Sequence, residues 1–226
     1  MAIVIIPVAI SIHTVTAWIF GMTLRPGWHS SIIGPDFVVG ALYSGIAAVI
    51  VAMAMFRKFF KLEAYLTPVH FRNLGLMLLV AGIAYLYFTI NNFVGPSYVT
   101  EADETDLLHS IFGGRFSVQF WSMISVGMII PCLILAIPFT RTITGIVTAS
   151  VLVNIGMWVM RYVIVVPTLS APFLPLAKQS PTYIPTMVEW SITLGGFAAF
   201  GLFYILFSKV FPIISIWETR PEPAAH

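Results

Sequence analysis

Long apolar runs separated by short polar turns organise this chain from its second residue onward. Six stretches, at about residues 2–23, 36–56, 72–95, 116–139, 142–166 and 186–211, are nearly free of charge. Each is long enough to cross a hydrocarbon layer of ~30 Å, which takes about 20 helical residues. The breaks carry turn chemistry: Arg25-Pro26-Gly27, Gly34-Pro35, Gly95-Pro96, Pro167, and the stretch holding Pro172, Pro175, Pro181 and Pro185. The pattern predicts an all-α integral membrane protein, with six transmembrane helices in one domain over residues 1–212 and a polar tail over 213–226. Pro131 should kink the fourth helix. No low-complexity segment and no internal repeat interrupts the pattern.

Composition makes lipid the solvent. The chain has 226 residues, of which 59% are hydrophobic and 9% charged, against roughly 25% charged in soluble domains. A net charge of +2 without a basic run gives no reason to expect a nucleic-acid partner. One cysteine, Cys132, lies inside an apolar span and excludes an internal disulfide or a cysteine-ligated cluster within the chain. No basic segment or small-residue cleavage site follows Met1, so the first span reads as retained; a signal peptide is the competing reading. Lys and Arg set orientation. Arg57, Lys58, Lys61, Arg72, Arg141, Lys209 and Arg220 fall on one side, and Arg25, Arg115, Arg161 and Lys178 on the other, with Glu101, Asp103, Glu104 and Asp106. This places both termini in the cytoplasm and the longer loops outside a cell (inner) membrane.

With that orientation the unusual polar residues gather on the outer side. Trp28, His29, Asp36, Arg161 and Glu189 lie at or near outward helix ends, and His13 lies about mid-span. An ionisable group at membrane depth costs at least ~2.5 kcal/mol on insertion scales and generally faces protein or a water-filled cavity. His13 suits proton exchange, since imidazole gives and takes a proton near neutral pH; the competing role is a hydrogen bond to a neighbouring helix. Haem ligation by two histidines would need a second one facing it, and His29, His70 and His109 fall in turns or loops. Asn154, Trp158 and Arg161 share a helix face that Ser150 extends. Arg161 could clamp a carbonyl or carboxylate, or snorkel to the surface. Asp36 and Glu189 each begin a helix, where the dipole alone favours an acid, and Glu189 could also pair with Arg161. Tyr85, Thr89 and Asn92 share a face of the third span, as a polar path or as interhelical hydrogen bonds. Gly40, Ser44 and Ala47, like Gly195, Gly196 and Gly201, form stripes that permit close packing. Trp28, Trp121, Trp190 and Trp217 fit interfacial anchoring. No paired metal ligands, Gly-x-Ser-x-Gly elbow, P-loop or GxGxxG is found.

Three segments carry a resemblance: "IHTVTAWIFGMTLRPGWHSSIIGPDFVVGALYSG", "VLVNIGMWVMRYVIVVPTLS" and "YIPTMVEWSITLGGFAAFGLFYILFSKVFPIISIWE". In order, and apart from the loop at 96–115, they resemble the NrfD/PsrC family of integral membrane subunits, which anchor polysulfide reductases, Dsr complexes, menaquinone reductases and alternative complex III. The resemblance begins at what would be a middle helix of full-length members. It therefore implies the C-terminal part of such a subunit, with one four-helix bundle, whether as fragment, split-gene product or half that needs a missing N-terminal half. Relatives of the alternative-complex type carry an aspartate where Ile19 stands in the run His13-Thr14-Val15-Thr16-Ala17-Trp18-Ile19-Phe20. The Trp18-Ile19 version is nearer the Dsr-type branch.

The resemblance implies a quinone-interacting subunit with no redox cofactor of its own. Electrons would pass between a menaquinone or ubiquinone pool and an extracytoplasmic, four-cluster ferredoxin-type iron–sulfur subunit. Molybdopterin or multihaem cytochrome subunits would be further partners. His13 would transfer protons to quinone, with Trp28, His29, Asp36, Arg161 and Glu189 as substrate-binding residues. The chain alone would catalyse nothing. A small membrane transporter or a structural anchor is the rival reading; the absence of an internal repeat speaks against a carrier.

Overall fold

Every apolar run folds as helix. The computed structural model describes residues 2–28, 30–99, 102–171 and 184–211. In chain order α1 spans Ala2–Gly21, α2 Ile33–Phe59, α3 Pro68–Val99, α4 Ala102–Phe112, α5 Ser117–Ile124, α6 Ile130–Ala136, α7 Ile143–Ser170 and α8 Met187–Val210. One π-helical turn, Ser125–Ile129, joins α5 to α6. With Ser117–Ala136 taken as one span, six helices are long and apolar enough to cross a membrane, and no strand occurs among the described residues. The tail at 213–226 lies outside the described residues.

The prolines mark boundaries less sharply than turn chemistry suggests. Pro35 sits in the first turn of α2, where a missing N–H costs nothing because the helix has no partner for it. Breaks are expected at Gly95-Pro96 and Pro167, yet α3 runs through Pro96 to Val99 and α7 runs through Pro167 to Ser170. So close to a helix end a proline removes one hydrogen bond and leaves little helix to disrupt. The acidic loop at 96–115 is also partly helical, because α4 turns Leu107 and Ile111 inward on one face.

Residues 1–181 form one compact unit and residues 182–226 another. In the first unit α2, α3, the α5–α6 span and α7 pack as a four-helix bundle, with α1 laid against α2 and α4 against α3, α5 and α7. Its core runs through Tyr43, Ile50, Phe71, Leu78, Tyr85, Met123, Met128, Ile146 and Met160, all at most 1% exposed. Helices α2 and α3 are antiparallel in a fixed register: Cβ atoms at Gly40 and Gly82 would each lie 2.9 Å from a tyrosine ring, of Tyr85 and Tyr43 respectively. Two glycines bring the fourth span against α7, since a Cβ at Gly127 would stand 2.8 Å from the Gly156 Cα.

Pro131 explains the π turn. It has no N–H for the carbonyl four residues back, that of Gly127. The Ile130 N–H just before it passes over Val126 and reaches the Ser125 carbonyl, in π register. The buried Tyr43 hydroxyl then donates to the Gly127 oxygen at 3.0 Å. A defect in one helix thus becomes a tie to another.

The two ends of the bundle differ. At the Lys58 end, Arg141 caps α6 by donating to the Leu135 and Ala136 carbonyls at 2.8 and 3.0 Å, and Thr142 caps α7 through the Gly145 N–H at 3.1 Å. The opposite, Asp36 end carries the longer connections. In the second unit Thr186 and Glu189 form a capping box that starts α8: the Glu189 Oε2 accepts from the Thr186 N–H at 2.6 Å, and the Thr186 Oγ1 accepts from the Glu189 N–H at 3.4 Å.

Candidate functional site at the Asp36 end

The connection between α1 and α2 is pinned into the bundle instead of lying on its surface. The Trp28 N–H bonds the Arg25 carbonyl at 3.2 Å, closing a tight turn through Gly27, whose φ of +81° lies in the region that favours glycine. The Gly27 N–H donates to the Glu104 Oε1 at 3.3 Å, tying the turn to α4. Trp28 is 8% exposed, and its indole N–H donates to the Ile164 carbonyl in α7 at 2.8 Å. The interfacial-anchor reading of Trp28 is therefore corrected: a donor that reaches a carbonyl inside the bundle lets the whole ring be buried. Trp121 and Trp190 remain about half exposed.

Around Trp28 an aromatic row leads to the charged residues. The Phe20 ring meets Trp28 edge-on at 4.9 Å and Phe37 at 5.9 Å. The Arg161 guanidinium stands 4.7 Å from the centre of Phe37, within cation–π range. Next to Phe37 in sequence, Asp36 is 1% exposed, and its Oδ1 has no hydrogen-bond partner. The charge of Arg161 acts on both Asp36 and the Tyr85 hydroxyl. The α2–α3 register that pairs Gly40 with Tyr85 and Tyr43 with Gly82 sets Thr89 across from Asp36, one turn further along. Thr89 is 1% exposed with its hydroxyl beside that of Tyr85, and the Asn92 Oδ1 is buried without a partner. Phe37, Tyr85, Arg161 and the unpartnered oxygens form one polar cluster at the junction of α2, α3 and α7.

All the sequence-predicted site residues but His29 have a definite place. Trp28, Asp36 and Arg161 are brought together around Phe20 and Phe37. His13 lies in α1 one turn before Ala17, which packs with Ile33 and Phe37, so the two share a helix face. Its Nδ1 lies 2.7 Å from the Ala9 carbonyl, which only accepts, so the ring donates from Nδ1 within its own helix and Nε2 is left for another partner. Glu189 is engaged in the capping box of the second unit. His29 lies outside the described residues. Asp36 is in the first turn of α2, as a helix-start acid would be, but no side-chain cap bond forms there. The small-residue stripe at Gly40 and Ala47 is buried, whereas a Cβ at Gly195, Gly196 or Gly201 would meet nothing within 4 Å.

Sequence reasoning passed over Glu104. It belongs to an acidic run that reads as a solvated loop, yet it is 5% exposed. The signal available was the spacing of Leu107, Leu108, Ile111 and Phe112, which puts apolar side chains on one side of a short helix. Glu104 lines a cavity of about 40 Å³ with Gly27, Asn92, Pro96, Val163 and Thr168. Pockets for organic ligands run to roughly 300–1,000 Å³, so this cavity is of water scale. By contrast Arg161 and Trp158 are exposed on one face of α7, where a larger molecule could approach. Among the described residues no three of His, Cys, Asp and Glu converge as metal ligands.

Comparison with known proteins agrees with this architecture. The chain is 26% identical to a selenate reductase subunit of Mesobacillus selenatarsenatis over 96% of its own length and 51% of that protein. It is 28% identical to a putative dimethyl sulfoxide reductase membrane subunit of Halobacterium salinarum, over 86% of the chain and 48% of the relative. Identity is 26% to the Hdr-like menaquinol oxidoreductase integral membrane subunit of Archaeoglobus fulgidus, over 91% and 55%. The chain thus spans about half the length of the curated relatives it matches. The family model described as polysulphide reductase, NrfD, matches residues 1–172. With that much of its 226 residues inside the match, the chain belongs to the NrfD family of polysulphide reductase membrane proteins.

Proposed function

We propose that this chain is a membrane subunit of a respiratory oxidoreductase, and that its Asp36 end binds the headgroup of a menaquinone- or ubiquinone-type molecule. The observation that carries the reading is Asp36 itself: a carboxylate 1% exposed, one oxygen unpartnered, beside an arginine stacked on Phe37. A buried polar atom left unsatisfied costs about 1–3 kcal/mol. Such a cost at membrane depth points to a ligand or proton that completes the site. The name of the Archaeoglobus relative, a menaquinol oxidoreductase subunit, supports the quinone class.

The chemistry follows from the residues. Arg161 donates hydrogen bonds to a quinone oxygen and stabilises the negative charge that builds there on reduction. Phe20, Phe37 and Trp28 supply apolar and aromatic surface for the ring, and Asp36 holds or delivers a proton. In the reducing direction quinone gains two electrons from iron–sulfur clusters on an extracytoplasmic partner of the four-cluster ferredoxin type, and two protons through side chains of this subunit. His13 exchanges one of these protons through Nε2. The quinone enters from the lipid side, where Trp158 and Arg161 are exposed, and further helices close the pocket over that face. Both termini are cytoplasmic in a cell (inner) membrane.

The test uses the assembled complex. His13→Ala and Asp36→Asn should each lower quinone turnover more than tenfold while the partner's iron–sulfur clusters are still reduced. Quinone turnover at the wild-type rate in both variants would remove the assignment. A transporter reading has no observation in its favour.

A further inference from the structure

A quinone site at Asp36 needs protons, and the bundle has a place for them to enter. Asp36 is enclosed, so its carboxylate has no direct access to bulk water. One helical turn beyond Thr89, at Asn92, begins the water-scale cavity of about 40 Å³ that Glu104 and Thr168 also line. Such a volume accommodates a few water molecules when two to four polar partners are at hand.

Those partners are unusually numerous. The Asn92 Oδ1, on the cavity wall, is buried with no protein partner, and one helical turn away the buried Thr89 Oγ1 has the Tyr85 hydroxyl as its neighbour. Pro96 and Pro167 have no N–H to give the carbonyls four residues back, those of Asn92 and Val163. Both prolines lie inside helices, and Pro96, Asn92 and Val163 all line the cavity. Two helices have thus each lost a hydrogen bond at the same small space. Glu104 lines this space, and one oxygen of its carboxylate accepts the Gly27 N–H. The run from cavity to site is therefore Glu104, Asn92, Thr89, Asp36, with hydroxyl and amide groups spaced about one helical turn apart.

We propose that this cavity is a hydrated vestibule and that Glu104 is the proton-exchanging residue that serves Asp36 through it. The inference rests on the quinone reading of Asp36. Glu104 does not touch quinone; it passes a proton to cavity water held by Asn92, from which the Thr89 hydroxyl relays it towards Asp36, and regains one from the loop side. Asp36 receives that proton as its own passes to the quinone oxygen, while the iron–sulfur partner supplies the electrons. The surroundings of Glu104 favour this role. From α3 the cavity wall is Asn92, Phe93 and Pro96; from α7 it is Met160, Val163, Ile164 and Thr168; from α4 it is Leu107, Leu108 and Ile111. None of these titrates. The ionisable groups nearby in sequence are Arg25, two residues before Gly27; Glu101 and Asp103, just before Glu104; and on α4 the exposed Asp106 and His109.

The measurement is menadione turnover by the assembled complex in native membranes, followed across pH. Glu104→Gln keeps an acceptor for the Gly27 N–H but carries no proton. It should slow turnover at least tenfold and flatten the pH profile. Glu104→Asp should recover most of the rate, and a small permeant weak acid should restore the Gln variant. Asn92→Leu, which fills the cavity, should also slow turnover. A Gln variant with wild-type rate and pH profile overturns the proposal, as does a slowed variant that neither aspartate nor the weak acid restores. Failure of the wild-type complex to turn over menadione would remove the quinone reading itself. A normal wild type with an unaffected Glu104→Gln variant removes this inference alone.

Discussion

At residue scale the informative side chains are those the fold leaves incompletely satisfied. Sequence position gave Asp36 two readings, a helix-start acid and a site residue, and the unpartnered Oδ1 adds weight to the second. This has a stability consequence. Replacing a buried carboxylate whose oxygen has no partner with an apolar side chain of similar volume removes the cost of keeping that oxygen from water. Asp36→Leu should therefore raise the melting temperature of the detergent-solubilised protein, by up to about 1–3 kcal/mol of stability, while abolishing quinone turnover. A lowered melting temperature would mean that Asp36 holds the bundle together. Trp28 works the opposite way, since its indole N–H is used against Ile164. Its burial was not legible in the sequence, where a tryptophan beside a turn reads equally well as an anchor at the lipid surface.

At the scale of elements the prolines have unequal effects. Pro131 in mid-span distorts its helix into a π turn, as its position suggests, whereas Pro96 and Pro167 near helix ends do not stop theirs. The difference is how much helix follows each one. The tie that compensates Pro131, Tyr43 to Gly127, joins residues 84 positions apart, and no local pattern announces it. Tyr43→Phe should cost about 1 kcal/mol of thermal stability, the net value of one buried hydrogen bond. In Pro131→Ala the Gly127 carbonyl regains a donor from its own helix, so the same Tyr43→Phe change should cost less there. A double-mutant cycle read by thermal melts measures this coupling; strict additivity would show that the two features are independent. Helix α4 was missed for a related reason, because acidic residues mask a short apolar face that only the neighbouring helices make useful.

At the scale of the whole molecule, the basic residues divide by bundle end. Arg57, Lys58, Lys61, Arg72 and Arg141 flank the Lys58 end, and Arg25 and Arg115 the other. If the Lys58 end faces the cytoplasm, single cysteines replacing Arg25 and Arg115 in a Cys132→Ser background should react with an impermeant maleimide added outside intact cells. Cysteines at Lys58 and Lys61 should react only after the membrane is opened. The reverse pattern would invert the topology and remove the extracytoplasmic iron–sulfur partner. Purification in mild detergent with an iron assay gives the matching biochemical test, because the complex should carry iron that the isolated chain does not.

What the sequence determined by itself is the solvent and the parts. Unbroken apolar runs allow no backbone in lipid except a helix that satisfies its own hydrogen bonds, so six spans, an all-α class and the family follow from order along the chain. The tertiary structure decided which polar groups find partners. That depends on register between helices far apart in sequence: Gly40 against Tyr85 puts Thr89 opposite Asp36, and Glu104 reaches the cavity only because the Gly27 turn folds against α4. Periodicity sets which face of a helix a residue occupies, whereas burial of an acid beside an arginine arises only when three such faces meet.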